Sequence, residues 1–89
     1  MRETFKLIGL NGGKKKAYAT VEIGREDWFH ADFDPIEMPP DRQVALFQYA
    51  KGTDNFWKIG VTVEVRFDKY SSGQMPINPV IVAINIPNS

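Results

Sequence analysis

One histidine and two aspartates stand at alternate positions in a single stretch of this sequence, at His30, Asp32 and Asp34. Residues two apart in a β-strand point to the same side. One imidazole and two carboxylates would therefore share a face, and these groups are ligands of divalent metal ions. A charged row on a strand is more often a solvated edge that keeps sheets from pairing with each other. We therefore predict no metal site. If the chain did bind a metal ion, His30, Asp32 and Asp34 would be the candidate ligands.

The sequence offers little material for catalysis. It has no cysteine, which excludes disulfides, thiolate catalysis and cysteine-containing zinc sites. His30 is the single histidine, and no serine lies in the Gly-x-Ser-x-Gly context of a nucleophile elbow. We predict no catalytic residue, no cofactor and no enzymatic activity.

Lysines and aromatic residues accompany two turn-forming segments. Three lysines follow the turn signal Asn11-Gly12-Gly13, and a second polar segment runs from Lys69 to Gln74. Lysines bind a phosphate backbone with salt-dependent affinity, and exposed aromatic rings stack on nucleic-acid bases. The alternative is a solubilising lysine cluster with aromatics that cover the rim of the domain. The predicted nucleic-acid-binding residues are Lys14, Lys15, Lys16, Tyr18, Trp28, Arg66, Lys69 and Tyr70.

The formal net charge of zero conceals three blocks of charge. Residues 1–25 carry six basic and two acidic residues, residues 26–41 carry six acidic residues and no Lys or Arg, and residues 42–89 carry five basic and three acidic residues. A neutral chain with this pattern can present a basic and an acidic surface at once. The acidic segment 26–41 favours a second function, in which the chain is a protein-interaction module or inhibitor. Its predicted partner-binding residues are Asp32, Asp34 and Glu37.

Alternating apolar residues predict the strands that would position these groups. The pattern indicates a β-hairpin over residues 3–23 and a third strand with Trp28, His30, Asp32 and Asp34 on one face. A short helix is predicted over residues 42–51, with Asp41 as its N-cap and Gly52 at its C-terminus. The apolar series Ile59, Val61, Val63, Val65 and Phe67 predicts a fourth strand, and the apolar run 80–86 predicts a fifth.

This order predicts one mainly β domain over residues 1–89. Five strands with a helix between the third and the fourth are typical of a small Greek-key barrel of the oligonucleotide/oligosaccharide-binding (OB) type. An SH3-like or other small β-barrel is the alternative. In an OB barrel the loop between the first two strands and the loop between the last two strands flank the binding face of strands 2 and 3. The predicted fold would therefore bring both lysine-containing loops to the face that carries Tyr18 and Trp28.

The fourth strand and the loop after it resemble a known family. The segment IGVTVEVRFDKYSSG over residues 59–73, followed by Pro76 and Pro79 before an apolar strand, is similar to the OB domain of ATP-dependent DNA ligases. The resemblance implies an OB fold that handles nucleic acid. It does not imply ligation, because the Lys-x-Asp-Gly motif of the ligase nucleophile is missing. That family also carries an Arg-x-Asp-Lys motif after its last strands. Residues 66–69 match this pattern, but they lie earlier, in the hairpin that the fourth and fifth strands would form.

The sequence therefore predicts a non-catalytic protein that binds single-stranded DNA or RNA with little sequence specificity. No signal peptide is readable at the N-terminus, and no apolar run approaches the length of a membrane span. We expect a small soluble cytoplasmic protein with no membrane partner. The apolar final strand favours pairing between two copies, so a homodimer is a further expectation.

Overall fold

The fold is a single sheet of five strands that closes on itself. The computed structural model describes residues 1–12 and 15–87. The sheet closes as a barrel in the order β1-β2-β3-β5-β4, and one α-helix lies between β3 and β4. The predicted fold class is confirmed as a small, mainly β domain, with five strands in one closed sheet and a helix between the third and the fourth. The elements are β1 (Arg2–Asn11), β2 (Tyr18–Ile23), β3 (Asp27–Phe33), α1 (Pro40–Gly52), a 3-10 helix (Phe56–Lys58), β4 (Thr62–Arg66) and β5 (Val80–Asn85).

Strand β1 is long enough to join two halves of the barrel. Its first half pairs with β4 and its second half with β2, both antiparallel, and Lys6 belongs to both ladders. The register with β2 shifts between Leu7 and Gly9, where the strand changes direction. Gly9 lies against Thr20 so closely that a Cβ there would be 3.1 Å from the Cβ of Thr20. The predicted hairpin over residues 3–23 is confirmed.

Strands β2 and β3 form the ladder that carries most of the predicted site. They pair antiparallel, with Tyr18 opposite Asp32, Thr20 opposite His30 and Glu22 opposite Trp28. On its other side β3 pairs with β5, in parallel, over Asp32 and Phe33. Over the rest of its length this second edge of β3 pairs with no strand among the described residues, and part of it lies beside the β4–β5 loop.

The core lies inside the ring, where the apolar face of every strand points. The alternation in the sequence predicts these faces correctly for β2, β3 and β4. Phe5 and Phe29 meet edge to face across the interior, with ring centroids 5.3 Å apart, an arrangement that aromatic pairs prefer. The buried strand residues are Leu7, Ala19, Val21, Phe29, Ala31, Phe33, Val63, Val65, Ile81 and Val82.

Helix α1 begins two residues earlier than predicted, and Asp41 is not its N-cap. The helix starts at Pro40, and Pro39 occupies the cap position without a side-chain hydrogen bond. The Pro39 carbonyl accepts hydrogen bonds from the backbone N–H groups of Arg42 and Gln43, at 2.9 and 3.1 Å. Proline is favoured in the first turn because its missing N–H has no partner there in any case. Asp41 instead lies in the first turn, where its charge favours the positive end of the helix dipole.

Leu46 attaches α1 to the barrel. It is the buried residue of the helix, and the neighbouring Phe47 packs against Phe33 with ring centroids 6.5 Å apart. Among the described residues, no helix is long and apolar enough to cross a membrane.

Candidate nucleic-acid interface

Three ring side chains form a continuous row on the outer face of β2 and β3. The ring of His30 lies between the other two, with its centroid 4.8 Å from that of Tyr18 and 5.0 Å from that of Trp28. Trp28 is 54 % exposed, although it is one of the largest apolar side chains. We call Tyr18, His30 and Trp28 the aromatic row. Period-two alternation puts Tyr18 and Trp28 on the face that the sequence predicted for them.

A hydrogen bond from the scaffold orients the central ring of this row. The hydroxyl oxygen of Thr20 lies 3.0 Å from Nδ1 of His30, directly across the ladder. Because Thr20 also contacts Gly9 of β1, the bend of β1 supports the residue that holds His30. The sequence did not indicate this role, since a threonine at a strand position is typical of any sheet.

The β1–β2 loop borders one end of the aromatic row. Lys15 and Lys16 are both exposed, and Nζ of Lys16 donates to Oδ2 of Asp32 at 2.8 Å. Asp32 pairs with Tyr18 across the ladder, so this ion pair lies directly beside the row. Lys14, which the sequence also predicted for this interface, lies outside the described residues.

The β4–β5 loop borders the side of β3 that has no strand beside it. Its last two residues, Asn78 and Pro79, form an open groove of about 330 Å³ with Tyr18, His30 and Asp32. We call these five residues the base groove. The side-chain amide of Asn78 donates to Oδ2 of Asp68 at 2.8 Å, which holds this end of the loop in place.

The residues of the β4–β5 loop that lie in the groove differ from those predicted. Asn78 has a positive φ of 54°, a conformation that asparagine tolerates better than most residues. The dipeptide Asn-Pro is a turn signal and was the one indication in the sequence of a turn here. That signal does not tell which strand the turn will lie against.

Arg66 was predicted to bind nucleic acid, and in the structure its guanidinium pairs with two carboxylates of the chain. Its guanidinium donates to Oδ1 of Asp34 at 2.8 Å and to Oε2 of Glu37 at 3.4 Å. Strand β5 lies between Arg66 on β4 and Asp32 on β3. Arg66 is therefore engaged in an ion pair one strand away from Asp32, and it lines an open pocket together with Asn78.

Tyr70 is likewise bound within the scaffold. Its hydroxyl donates to the carboxylate of Glu3, and its ring packs against Phe67 with centroids 4.8 Å apart. The hydrogen bond to Glu3, together with burial and the negative charge of Glu3, raises the pKa of Tyr70 to about 12. Lys69, its neighbour, is exposed. Tyr70 lines an open pocket at the β2–β3 turn together with Gly24 and Asp27.

The three acidic residues of the alternative interface all have cationic partners within the chain. Asp32 binds Lys16, and Glu37 lies 3.1 Å from Arg2. Asp34 binds Arg66 at 2.8 Å, and its side chain is only 7 % exposed. Docking of a basic protein on the acidic segment stays a prediction, but Asp34 has almost no surface to offer such a partner.

Asp34 follows the last residue of β3, and its side chain stabilises the turn there. Its Oδ2 accepts the backbone N–H groups of Ile36 at 3.2 Å and Glu37 at 2.7 Å. These bonds, led by that from Glu37 and supported by Arg66, hold the pKa of Asp34 below its usual value against the opposing effect of desolvation.

The structure does not assemble a metal site from His30, Asp32 and Asp34. Each side chain is held by a different partner, namely Thr20, Lys16 and Arg66. Within residues 1–12 and 15–87, no group of three or more His, Asp or Glu side chains is arranged to hold an ion.

Comparison of the chain with protein-family models, with curated proteins and with solved structures found no match in any of the three. The aromatic row, the base groove and the loops beside them are the features of this chain that bear on its function.

Proposed function

We propose that this protein binds single-stranded nucleic acid on the outer face of β2 and β3. The aromatic row is the observation that carries the proposal. A tryptophan that is 54 % exposed contacts an imidazole, which in turn contacts a tyrosine. The ring planes are tilted by 52° and 69° to one another, so the row offers separate rings on which bases can stack. Each base that stacks on such a side chain contributes about 1–3 kcal/mol. Bases in a duplex are already stacked inside it, so this surface favours a single strand.

The loop lysines supply the phosphate contacts of the proposed complex. Lys15 and Lys16 project beside the Tyr18 end of the row. Two or three lysines give a modest electrostatic attraction, because each phosphate contact releases about one counterion. We expect stacking to contribute as much as charge, and the row itself to show little sequence preference, since every base has a ring face.

Trp28 provides a direct test of binding at this face. A Trp57→Phe variant leaves Trp28 as the single tryptophan of the chain, so its fluorescence reports on the row alone. A labelled single strand of mixed sequence and about 12 nucleotides should quench Trp28 as the anisotropy of the label rises. No change in either signal at low salt, with protein up to about 100 μM, would exclude the proposed function.

Replacement of Trp28 should weaken binding without unfolding the protein. We expect Trp28→Ala to reduce affinity by about 5- to 150-fold, the equivalent of about 1–3 kcal/mol of stacking. Trp57→Ala is the matched control, because Trp57 is 45 % exposed but lies in the 3-10 helix. An equal loss in both variants would contradict binding on the row.

A further inference from the structure

A carboxylate stands where a phosphate-binding surface would not be expected to have one. Asp32 lies in the base groove, and its side chain is 46 % exposed. Like charges repel, so an exposed anion beside the path of a phosphate backbone weakens binding unless it contacts something else. In the free protein, Lys16 offsets this charge through Oδ2. The described residues place no other hydrogen bond on this carboxylate.

The chemistry of the carboxylate indicates which base it would contact. An ionised aspartate accepts hydrogen bonds and donates none. The Watson–Crick edge of guanine presents two adjacent donors, the N1–H and the N2 amino group, which match the two oxygens of one carboxylate. Adenine and cytosine present one amino group next to an acceptor nitrogen. Thymine and uracil present one N–H between two carbonyl oxygens, which a carboxylate would repel.

We propose that the base groove selects guanine, with the carboxylate of Asp32 accepting hydrogen bonds from N1 and N2. The proposal rests on the proposed function and adds to it one position of base preference. The groove volume of about 330 Å³ lies near the lower end of small-molecule sites, which suits a single base. Tyr18 and Pro79 give the base apolar contacts, and Lys16 is close enough to turn from Asp32 to a neighbouring phosphate.

Base analogues in one oligonucleotide test this preference without any change to the protein. The probes are labelled oligothymidines of about 12 nucleotides with one central guanine, inosine, adenine or thymine. A bidentate contact of this kind discriminates by about 5- to 150-fold, so the guanine probe should bind that much more tightly than the thymine probe. Inosine keeps N1–H but lacks the N2 amino group, and should fall between the two.

An Asp32→Asn variant should reduce the preference for guanine. The carboxamide presents one donor to the base, so binding of the guanine probe should weaken. Binding of the all-thymine probe should stay equal or become tighter, because an anion has been removed and Lys16 is released. Asp27→Asn is the matched control, since Asp27 is an exposed carboxylate at the other end of β3 and should leave both affinities unchanged.

The outcomes separate the two proposals. If no probe binds, nucleic-acid binding itself is refuted. If all four probes bind equally, single-strand binding stands and guanine selection is refuted. If Asp32→Asn does not fold, as judged by its thermal unfolding, the comparison of guanine with inosine on the unaltered protein still decides.

Discussion

At the scale of single residues, Asp34 connects three parts of the chain. It accepts two backbone N–H groups from the turn after β3 and binds Arg66 of β4. These contacts favour the charged form, so the pKa of Asp34 is lower in the folded chain than its usual 3.8. The stability that its charge contributes is therefore complete above about pH 3.8 and is lost as the pH falls through the lower, folded value.

An Asp34→Asn variant should consequently respond less to acid than the unaltered protein. We expect its melting temperature to be lower at about pH 6 and the gap between the two proteins to narrow at about pH 3. Melting curves from circular dichroism measure both. Asp27→Asn removes an exposed carboxylate at the start of β3, and its melting temperature should change with pH as that of the unaltered protein does. A gap that stays constant with pH would show that the charge of Asp34 does not contribute to stability.

The residues of the candidate site divide into those that local sequence predicts and those that it does not. Tyr18 and Trp28 are on the predicted face, because strand alternation alone decides which way they point. Arg66 was assigned to the interface by its type, and nothing local in the sequence shows that an aspartate 32 positions away binds it. Asn78 and Pro79 lie in the groove because of how the β4–β5 loop packs against β3. Loop packing produces no periodic pattern in the sequence from which it could be predicted.

At the scale of elements, the strands were more predictable than their ends. Strict alternation in β2, β3 and β4 follows from one face being buried, and the structure buries that face. The predicted start of α1 was wrong because two signals for a helix start lie next to each other in the sequence. Asp41 is a good N-cap residue, and Pro40 is favoured in the first turn. The backbone carbonyl of Pro39 serves in place of a side-chain cap, and composition does not indicate that choice.

The β2–β3 turn depends on a backbone conformation that can be tested by substitution. Gly24 has a φ of 69°, and a Cβ there would meet nothing within 4 Å. A side chain at this position would therefore meet no steric clash, and it would destabilise the fold only because the backbone is in the left-handed region. Gly24→Ala should lower the free energy of unfolding by about 1 kcal/mol. Gly24→Asn should cost less, because asparagine tolerates this region.

Gly52 provides a control of opposite sign for the same measurement. It is the last residue of α1, and a Cβ there also meets nothing within 4 Å. Gly52→Ala should raise the free energy of unfolding by up to about 1 kcal/mol, since alanine favours helix over glycine. Urea unfolding measures all three variants. If Gly24→Ala is as stable as Gly24→Asn, the backbone at this turn does not limit stability.

At the scale of the whole molecule, the blocks of charge in the sequence pair with one another in the fold. The acidic segment 26–41 meets cations from both ends of the chain, through Lys16 with Asp32, Arg2 with Glu37 and Arg66 with Asp34. The sequence pattern allowed a basic and an acidic surface at once. Closure of the barrel pairs three of the six acidic residues of this segment with cations, which leaves fewer cations for a polyanion than the count of lysines and arginines suggests.

This pairing sets a limit on how strongly nucleic-acid binding should depend on salt. Single-strand binding weakens by about 0.7 in log affinity per unit of log salt for each phosphate contacted. The two or three lysines of the β1–β2 loop thus predict a loss of about tenfold between about 50 and 200 mM salt. Lys15→Gln should reduce the slope by about 0.7, whereas Arg66→Gln should leave it unchanged, because Arg66 binds Asp34 and Glu37. Titration of a labelled oligothymidine at several salt concentrations measures each slope. A loss of a thousandfold or more, typical of six to ten phosphate contacts, would mean that the strand follows another and more basic surface than the aromatic row.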